Sequence, residues 1–267
     1  MLFLTGQGDK TAETGFFQSF SANPLWPVFW LCIFVAISCI IVMFGVKKGI
    51  ERTSKIFLPI LIVLNIAIAI YVMTLPGALD GVLYYITPDF SKLSFGTIIA
   101  ALGQLFYSMS LAMGIMFTYG SYLNKKENLE ASVRHIELFD TGIAFLSGLM
   151  ILPAVFVFSG GDANVLNSGS SLLFITMPQV LMSMPCGQAV GAVFFILVFF
   201  AALTSAISFV ETIVSVFQDQ FGWKRIPICI GTCFGAIVIG LAAAWGFGWG
   251  GGVTIFGMNI SDFLDFF

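Results

Sequence analysis

Several polar side chains with oxygen atoms lie inside long apolar stretches of this sequence. Thr204 and Ser205 lie beside Ala201 and further alanines. A second polar set, in an earlier apolar run, is Gln104, Tyr107, Ser108 and Ser110. Hydroxyls in a helix commonly bond back to the backbone, but small neighbours let hydroxyls and carbonyls converge on one small cavity. An oxygen-lined cavity of that kind suits a hard cation.

Two acidic residues accompany these hydroxyls. Asp140 lies close to the inner end of one apolar run, and Glu211 lies well inside another. An ionised carboxylate in hydrocarbon costs several kcal/mol unless it is paired or hydrated, so both acids are candidates for function. For Asp140 the residues equally allow a second interpretation, an acid at the membrane edge beside Arg134.

The composition requires a membrane. Of 267 residues, 58% are hydrophobic and 9% are charged, and the mean hydropathy is +1.00, whereas a typical globular chain carries about 25% charge. This excludes a nucleic-acid binder, a secreted disulfide scaffold and most soluble enzymes. With His135 as the single histidine, no Ser/His/Asp set can form, and there is no Walker sequence. We therefore expect a protein that is not an enzyme.

Six apolar stretches predict membrane-spanning helices. They cover about residues 27–46, 56–75, 97–121, 138–159, 188–216 and 227–245. The loops after the first, third and fifth stretches hold four, three and two of the 11 Lys and Arg residues, which predicts that these loops are cytoplasmic and that both chain ends lie outside. The whole chain, residues 1–267, is predicted to be one transmembrane domain.

Two further features of the helices and loops can be predicted. The connection 160–187 is rich in Gly, Asn and Pro but keeps an apolar patch, which predicts an extracellular, lid-like loop that folds back as a short helix. Gly231 and Gly235, four residues apart, predict a close helix contact. Residues 262–267 resemble the opening of a further span, so we expect an internal piece of a longer transporter. A complete six-span protein is the alternative.

Six ordered motifs resemble the neurotransmitter:sodium symporter family, in its bacterial amino-acid-transporting branch. They are Gly49-Ile-Glu-Arg-Thr-Ser-Lys55, Leu75-Pro-Gly77, Pro88-Asp89-Phe90, Ala101-Leu-Gly-Gln-Leu-Phe-Tyr-Ser-Met-Ser110, Thr118-Tyr-Gly-Ser-Tyr122 and Phe200-Ala-Ala-Leu-Thr-Ser205. The resemblance runs over the whole chain. It implies an all-α integral membrane protein, an incomplete LeuT-type inverted-repeat bundle of about six transmembrane helices that correspond to the family's spans four to nine.

The resemblance also implies roles for single residues. The third predicted span matches the family's broken sixth helix, with the break at about Ser110 to Gly114. The substrate-binding positions are Tyr107, Ser108, Ser110, Met113 and Phe209. The sodium ligands are Ser108 and Asp140 in a first site, and Ala201, Thr204 and Ser205 in a second. Asp219 matches an inner gate acid and Asp265 an outer gate acid.

The function implied is sodium-coupled symport of an amino acid by alternating access, in a multi-pass protein of the cell (cytoplasmic) membrane. The partners are the amino acid, sodium ions, the lipid bilayer and transporter helices missing upstream and downstream, with no nucleic acid. Chloride is not expected, because Ala144 stands where chloride-dependent relatives have a hydroxyl.

The family's Gly/Asn-rich broken first helix is not in this sequence, so we expect the chain to be inactive alone. The rival function is a non-transporting structural or regulatory membrane subunit. A simple pore is disfavoured, because no repeated ring of polar residues lines one face.

Overall fold

A computed structural model describes residues 2–13, 15–45, 49–123, 127–160, 171–247, 254–255 and 258–259. The α-helices are α1 Gly8–Ala12, α2 Phe16–Ser21, α3 Trp26–Phe44, α4 Gly49–Met73, α5 Ala78–Ile86, α6 Phe95–Ser108, α7 Ile115–Tyr122, α8 Leu129–Ser159, α9 Ser171–Ser183, α10 Gly187–Phe221 and α11 Arg225–Phe247. A short 3₁₀ helix, Phe90–Lys92, precedes α6. Near the C-terminus, β1 Thr254–Ile255 pairs antiparallel with β2 Met258–Asn259.

Five helices within the described ranges are long and apolar enough to cross a membrane. They are Trp26–Phe44, Lys55–Met73, Leu129–Ser159, Gly187–Phe221 and Arg225–Ala244, and they confirm five of the six predicted spans. The remaining predicted span, the third along the chain at 97–121, was predicted from hydropathy as one helix, and that prediction is wrong. It is two helices, α6 of 14 residues and α7 of 8, each shorter than the roughly 20 residues of a spanning helix. The break implied by the family resemblance is confirmed.

Helix α8 begins nearer the N-terminus than hydropathy predicts. The Asn128 side chain accepts a hydrogen bond from the Ala131 amide at 3.2 Å, which caps the first turn. Glu130 then pairs with Arg134 one turn later, at 3.3 Å. These polar turns lie outside the apolar stretch, so a hydropathy window starts the helix too late.

The described residues divide into two compact units, Met1–Ala12 with Phe57–Leu197, and Glu13–Ile56 with Val198–Phe267. The single transmembrane domain therefore stays a prediction. In the first unit α5 packs closely on α8. Gly81 faces the backbone of Pro153, and the rings of Tyr84 and Phe156 lie 5.2 Å apart. The close approach requires glycine at 81, because a Cβ there would lie 2.6 Å from the Pro153 Cα.

In the second unit the core lies between α3, α10 and α11. Its buried members recur every three or four residues along α10, as expected for one helix face. They are Leu203, Ile207, Val210 and Val214, packed with Cys39 and Val42 of α3 and with Ile228 and Cys229 of α11.

The predicted glycine contact of α11 lies at a different residue. Among the described residues, no atom of another helix lies within 4 Å of a Cβ built at Gly231 or Gly235, so the close helix contact predicted there does not form within this part of the chain. The close approach occurs instead at Gly240, where a Cβ would meet the Leu31 side chain of α3 at 2.8 Å. Spacing alone did not show which face of α11 meets its neighbour.

Glu211 is held in an ion pair. Its side chain is 4% exposed and its Oε2 accepts a hydrogen bond from Nη2 of Arg225. The Arg225 Nε also donates to the carbonyl of Val42, at 2.8 Å. The guanidinium thus joins α10 and α11 to the C-terminal turn of α3, where the helix dipole favours a positive charge. We assign Glu211 a structural role, because its charge is compensated inside the protein.

The connection 160–187 contains the short helix that its apolar patch predicted. That helix is α9, and Met177, Val180 and Leu181 on it are buried. Residues 161–170 of the predicted loop lie outside the described residues. The extracellular, lid-like position of this segment stays a prediction.

The α5–α8 contact yields a test in the purified chain. Gly81→Ala should destabilise the protein by about 1–3 kcal/mol, because the new methyl group meets backbone that cannot rotate away. The matched control is Gly142→Ala in α8, where no described atom outside the helix's own backbone lies within 4 Å of the added Cβ and a small gain in helix stability is expected. Thermal unfolding in detergent measures both variants. Equal melting temperatures for the two would contradict the close packing.

The buried ion pair yields a second test. Glu211→Leu leaves the Arg225 charge without its carboxylate and should cost about 3–5 kcal/mol. The control is Glu130→Leu, which breaks the pair with Arg134, whose side chains are 83% and 77% exposed; exposed pairs are worth only about 0–1 kcal/mol. The double variant Glu211→Leu/Arg225→Leu should recover part of the loss. Similar thermal stability of the two single variants would show that the Glu211–Arg225 pair contributes no more to stability than an exposed pair.

Candidate functional site

Helix α6 ends in a hydrogen-bonded turn. The Leu111 amide donates to the Phe106 carbonyl at 2.8 Å, and the Ser110 amide donates to the Tyr107 carbonyl at 3.1 Å. This pair of bonds is the Schellman motif, in which the residue after the helix takes the left-handed conformation and is usually glycine. Here that residue is Ser110, with φ 55°.

The turn continues in a strained conformation up to α7. Ala112 has φ 62° and Gly114, the residue before α7, has φ 76°. A non-glycine residue in the left-handed region costs about 1–3 kcal/mol and persists where surrounding structure imposes it, typically at functional sites. Two such residues, Ser110 and Ala112, lie in this one break.

The break leaves two helix ends inside an apolar run. The C-terminus of α6 carries the negative end of a helix dipole, and the N-terminus of α7 carries a positive end. Interrupted helices of this kind form the ion and substrate sites of many transporters, because unpaired carbonyls and amides there face a cavity and not lipid.

Asp140 contacts the end of α6 directly. The Ser108 hydroxyl donates to the Asp140 Oδ1 at 2.6 Å, joining α6 to α8. Arg134 pairs with Glu130. The two residues of the first predicted sodium site therefore lie together, whereas the position of Asp140 relative to the membrane edge stays a prediction.

This pair has the chemistry of a cation site. Ser108 uses its proton in the bond to Asp140, so its oxygen lone pairs remain as ligands, and the carboxylate adds a negative charge. Hard cations prefer oxygen ligands of this type, and the negative end of α6 adds to the attraction. Asp140 is half-buried, which strengthens its attraction for a cation relative to that in water.

The second set of oxygens lies on α10. The Thr204 hydroxyl donates to the Ala201 carbonyl at 2.8 Å, and the Ser205 hydroxyl donates to the same oxygen at 3.3 Å. The structure thus brings together the three residues of the second predicted sodium site. Both hydroxyls point their protons at the carbonyl, so their lone pairs face away from it and remain free to meet a cation.

The remaining predicted residues are placed as follows. Ser110 and Met113 are half-buried within the break, and Tyr107 on α6 is 62% exposed. Phe209 on α10 is 42% exposed, and Asp219 is exposed near the C-terminus of that helix. Asp265 lies outside the described residues. Tyr107, Ser108, Ser110, Met113 and Asp140 belong to the first compact unit, and Ala201, Thr204, Ser205, Phe209 and Asp219 to the second.

Sequence reasoning missed the role of Arg225, which it counted only as a cytoplasmic cation. A signal was available, because a carboxylate buried as deeply as Glu211 requires a partner. Lys224 and Arg225 are the first cations that follow Glu211 in the chain. The choice between them depends on geometry that the sequence does not show.

Comparisons with known proteins agree with this arrangement. Residues 20–259 match the model of the sodium:neurotransmitter symporter family. An uncharacterised sodium-dependent transporter of Haemophilus influenzae is 36% identical over 91% of this chain and 53% of its own length. One of Bacillus subtilis is 35% identical over 94% and 54%. The crystal structure of MhsT in complex with L-phenylalanine superimposes with a TM-score of 0.91 and 40% identity, over 99% of this chain and 60% of MhsT.

The chain thus spans about half the length of the curated relatives it matches. The fold predicted from the sequence, a helical bundle of the LeuT type, is confirmed, and so is a multi-pass protein of the cell membrane. The relatives are transporters and not enzymes. With its helix break, its apolar spans and these matches, the chain belongs to the sodium:neurotransmitter symporter family.

Proposed function

We propose that this chain carries the ion- and substrate-binding core of a sodium-coupled amino-acid symporter that works by alternating access. The observation that carries the proposal is the contact between Ser108 and Asp140 at the break between α6 and α7. It places a carboxylate, a hydroxyl and the negative end of a helix at one point. The names of the relatives as sodium-dependent transporters support sodium as the ion.

In the first sodium site, Asp140 is the ionised ligand and Ser108 the neutral one. The negative charge of the Asp140 carboxylate balances the positive charge of the bound sodium, so an anion from solution is not needed. Ala144, one turn further along α8, offers only a methyl group and cannot bind an anion. We therefore propose that transport is independent of chloride.

In the second sodium site, Ala201 supplies a carbonyl oxygen and Thr204 and Ser205 supply hydroxyl oxygens. Because all three lie within two turns of α10, the helix itself sets their spacing. These oxygens would coordinate sodium and replace part of its hydration water. The site has no carboxylate, so it discriminates by geometry more than by charge.

For the substrate we propose an amino acid with an apolar side chain. Tyr107, Met113 and Phe209 are the larger proposed contacts, and Ser108 and Ser110 are the polar ones. The complex of MhsT with L-phenylalanine supports this class of substrate. Asp219 and Asp265 are the proposed inner and outer gate acids.

Replacement of both hydroxyls in the second site tests its assignment. In a chimera in which this sequence replaces the matching part of MhsT, Thr204→Ala/Ser205→Ala removes two oxygen ligands and should lower sodium affinity by at least about tenfold. The control is Thr212→Ala/Ser215→Ala, which removes a Thr and a Ser hydroxyl that bond back to the same helix at 2.8 and 3.0 Å. Uptake measured against sodium concentration separates the two. Equal sodium affinity in both double variants would refute the second site.

Asp140→Asn tests the first site. The amide keeps the size and one oxygen to accept the Ser108 proton but loses the charge, so folding should persist while sodium affinity falls by about tenfold or more. Asp80→Asn, an exposed acid in the first turn of α5, should leave sodium affinity unchanged. Sodium titration of phenylalanine binding to the chimera gives both values. An unchanged affinity in Asp140→Asn would remove Asp140 from the site.

Residues 1–267 alone should not transport. The proposed ligands Ser108 and Ser205 are exposed in this chain, and half of a coordination shell leaves sodium too weakly bound. Proteoliposomes that contain only this chain should show no sodium-driven phenylalanine uptake, whereas the MhsT chimera should. Uptake by the chain alone would require a different account of the ion sites.

A further inference from the structure

The amide of Gln188 joins the N-terminal segment to the start of α10. Its Nε2 donates a hydrogen bond to the Phe3 carbonyl, and its Oε1 accepts one from the Gly8 amide at 3.1 Å. A single side chain thus uses both its donor and its acceptor on one short segment. Gln188 has no role in the proposed ion and substrate sites.

Close packing reinforces these hydrogen bonds. The Phe3 side chain is buried and lies against Gly191, where a Cβ would collide with its ring. At Gly8 a Cβ would lie 2.5 Å from the Gln188 Oε1 and 2.9 Å from the sulfur of Met182. Glycine at 8 and 191 is therefore what permits the segment to approach α9 and α10.

The same packing reaches α9 through aromatic rings. The Phe195 ring of α10 lies 5.2 Å from that of Phe3 and 6.5 Å from that of Phe174 in α9. At the other end of α9, the Tyr71 hydroxyl of α4 donates to the Ser183 carbonyl at 2.6 Å. All these groups belong to the first compact unit.

We propose that residues 2–12 form a strap that holds α9 against the start of α10, with Gln188 as its clasp. Movement of α9 away from α10 requires the clasp to open, because Gly8 of the strap lies against Met182 of α9 and the Phe3 ring of the strap packs in a row with Phe195 and Phe174. The strap does not depend on the proposed function. The strap sets how readily α9, Ser171–Ser183, moves away from α10.

Hydrogen–deuterium exchange of the 267-residue chain in lipid nanodiscs tests the strap. Gln188→Leu removes both hydrogen bonds and should speed exchange about tenfold in residues 2–12 and 171–183 together, with residues 226–247 unchanged. Gln188→Glu keeps the acceptor and loses the donor, so an intermediate effect is expected. The control is Gln7→Leu, an exposed amide of the same segment that accepts from Lys10 at 3.2 Å, which should change nothing in α9.

Three results would overturn the proposal. Faster exchange in residues 2–12 with unchanged exchange in residues 171–183 would show that the segment does not hold α9. Equal loosening of every helix would mean general destabilisation, and no change would mean that the clasp has no effect. If Gln188→Leu does not fold, Gly191→Ala, which displaces the Phe3 ring, must give the same paired pattern. Exchange needs no transport activity, so a failure of the uptake experiments leaves this test intact, and the reverse also holds.

Discussion

The constraint on which this structure depends is that lipid offers no hydrogen bonds, so a polar group within a span must find its partner in the protein. The two acids in apolar helices meet this constraint in opposite ways. Glu211 pairs with a guanidinium, which compensates its charge and makes it part of the scaffold. Asp140 bonds to the neutral hydroxyl of Ser108, which satisfies a lone pair but leaves the charge in place. The second arrangement is suited to binding a cation.

The same constraint explains where the chain departs from regular helix. A break in a span exposes carbonyls and amides that lipid cannot satisfy, so it persists only where it lines a cavity or binds a ligand. The left-handed residues Ser110 and Ala112 add conformational strain to that cost. In the proposed function, binding of ion and substrate to the free ends of α6 and α7 compensates both costs.

Much of the fold could be predicted, because hydropathy reports burial in lipid directly. The ends of α3 and α11 lie within about two residues of the prediction. Hydropathy could not detect the break in the third span, whose turn residues are as apolar as the helices they join, and the break was known only from the family motifs. Likewise, hydropathy gave two equal interpretations of Asp140, and it could not show that this carboxylate bonds to Ser108 while Arg134 pairs with Glu130. A sequence names the ionisable groups, but their partners depend on which helix faces meet.

Under the proposed function, the exposure of the site residues links ion binding to packing against further transporter helices. Helix α6 has no buried side chain along its length, and Ser205 and Phe209 lie on the face of α10 opposite the buried row at Leu203, Ile207 and Val210. Helix α10 therefore keeps one face packed and leaves the face with its proposed ligands open, whereas α6 is open along its whole length. MhsT has further chain beyond the 60% that this sequence matches. Under the proposed function, that further chain both covers these faces and completes the shells of the ions. Sodium would then stabilise the packed state, since an ion that binds only the assembled form shifts the equilibrium toward it.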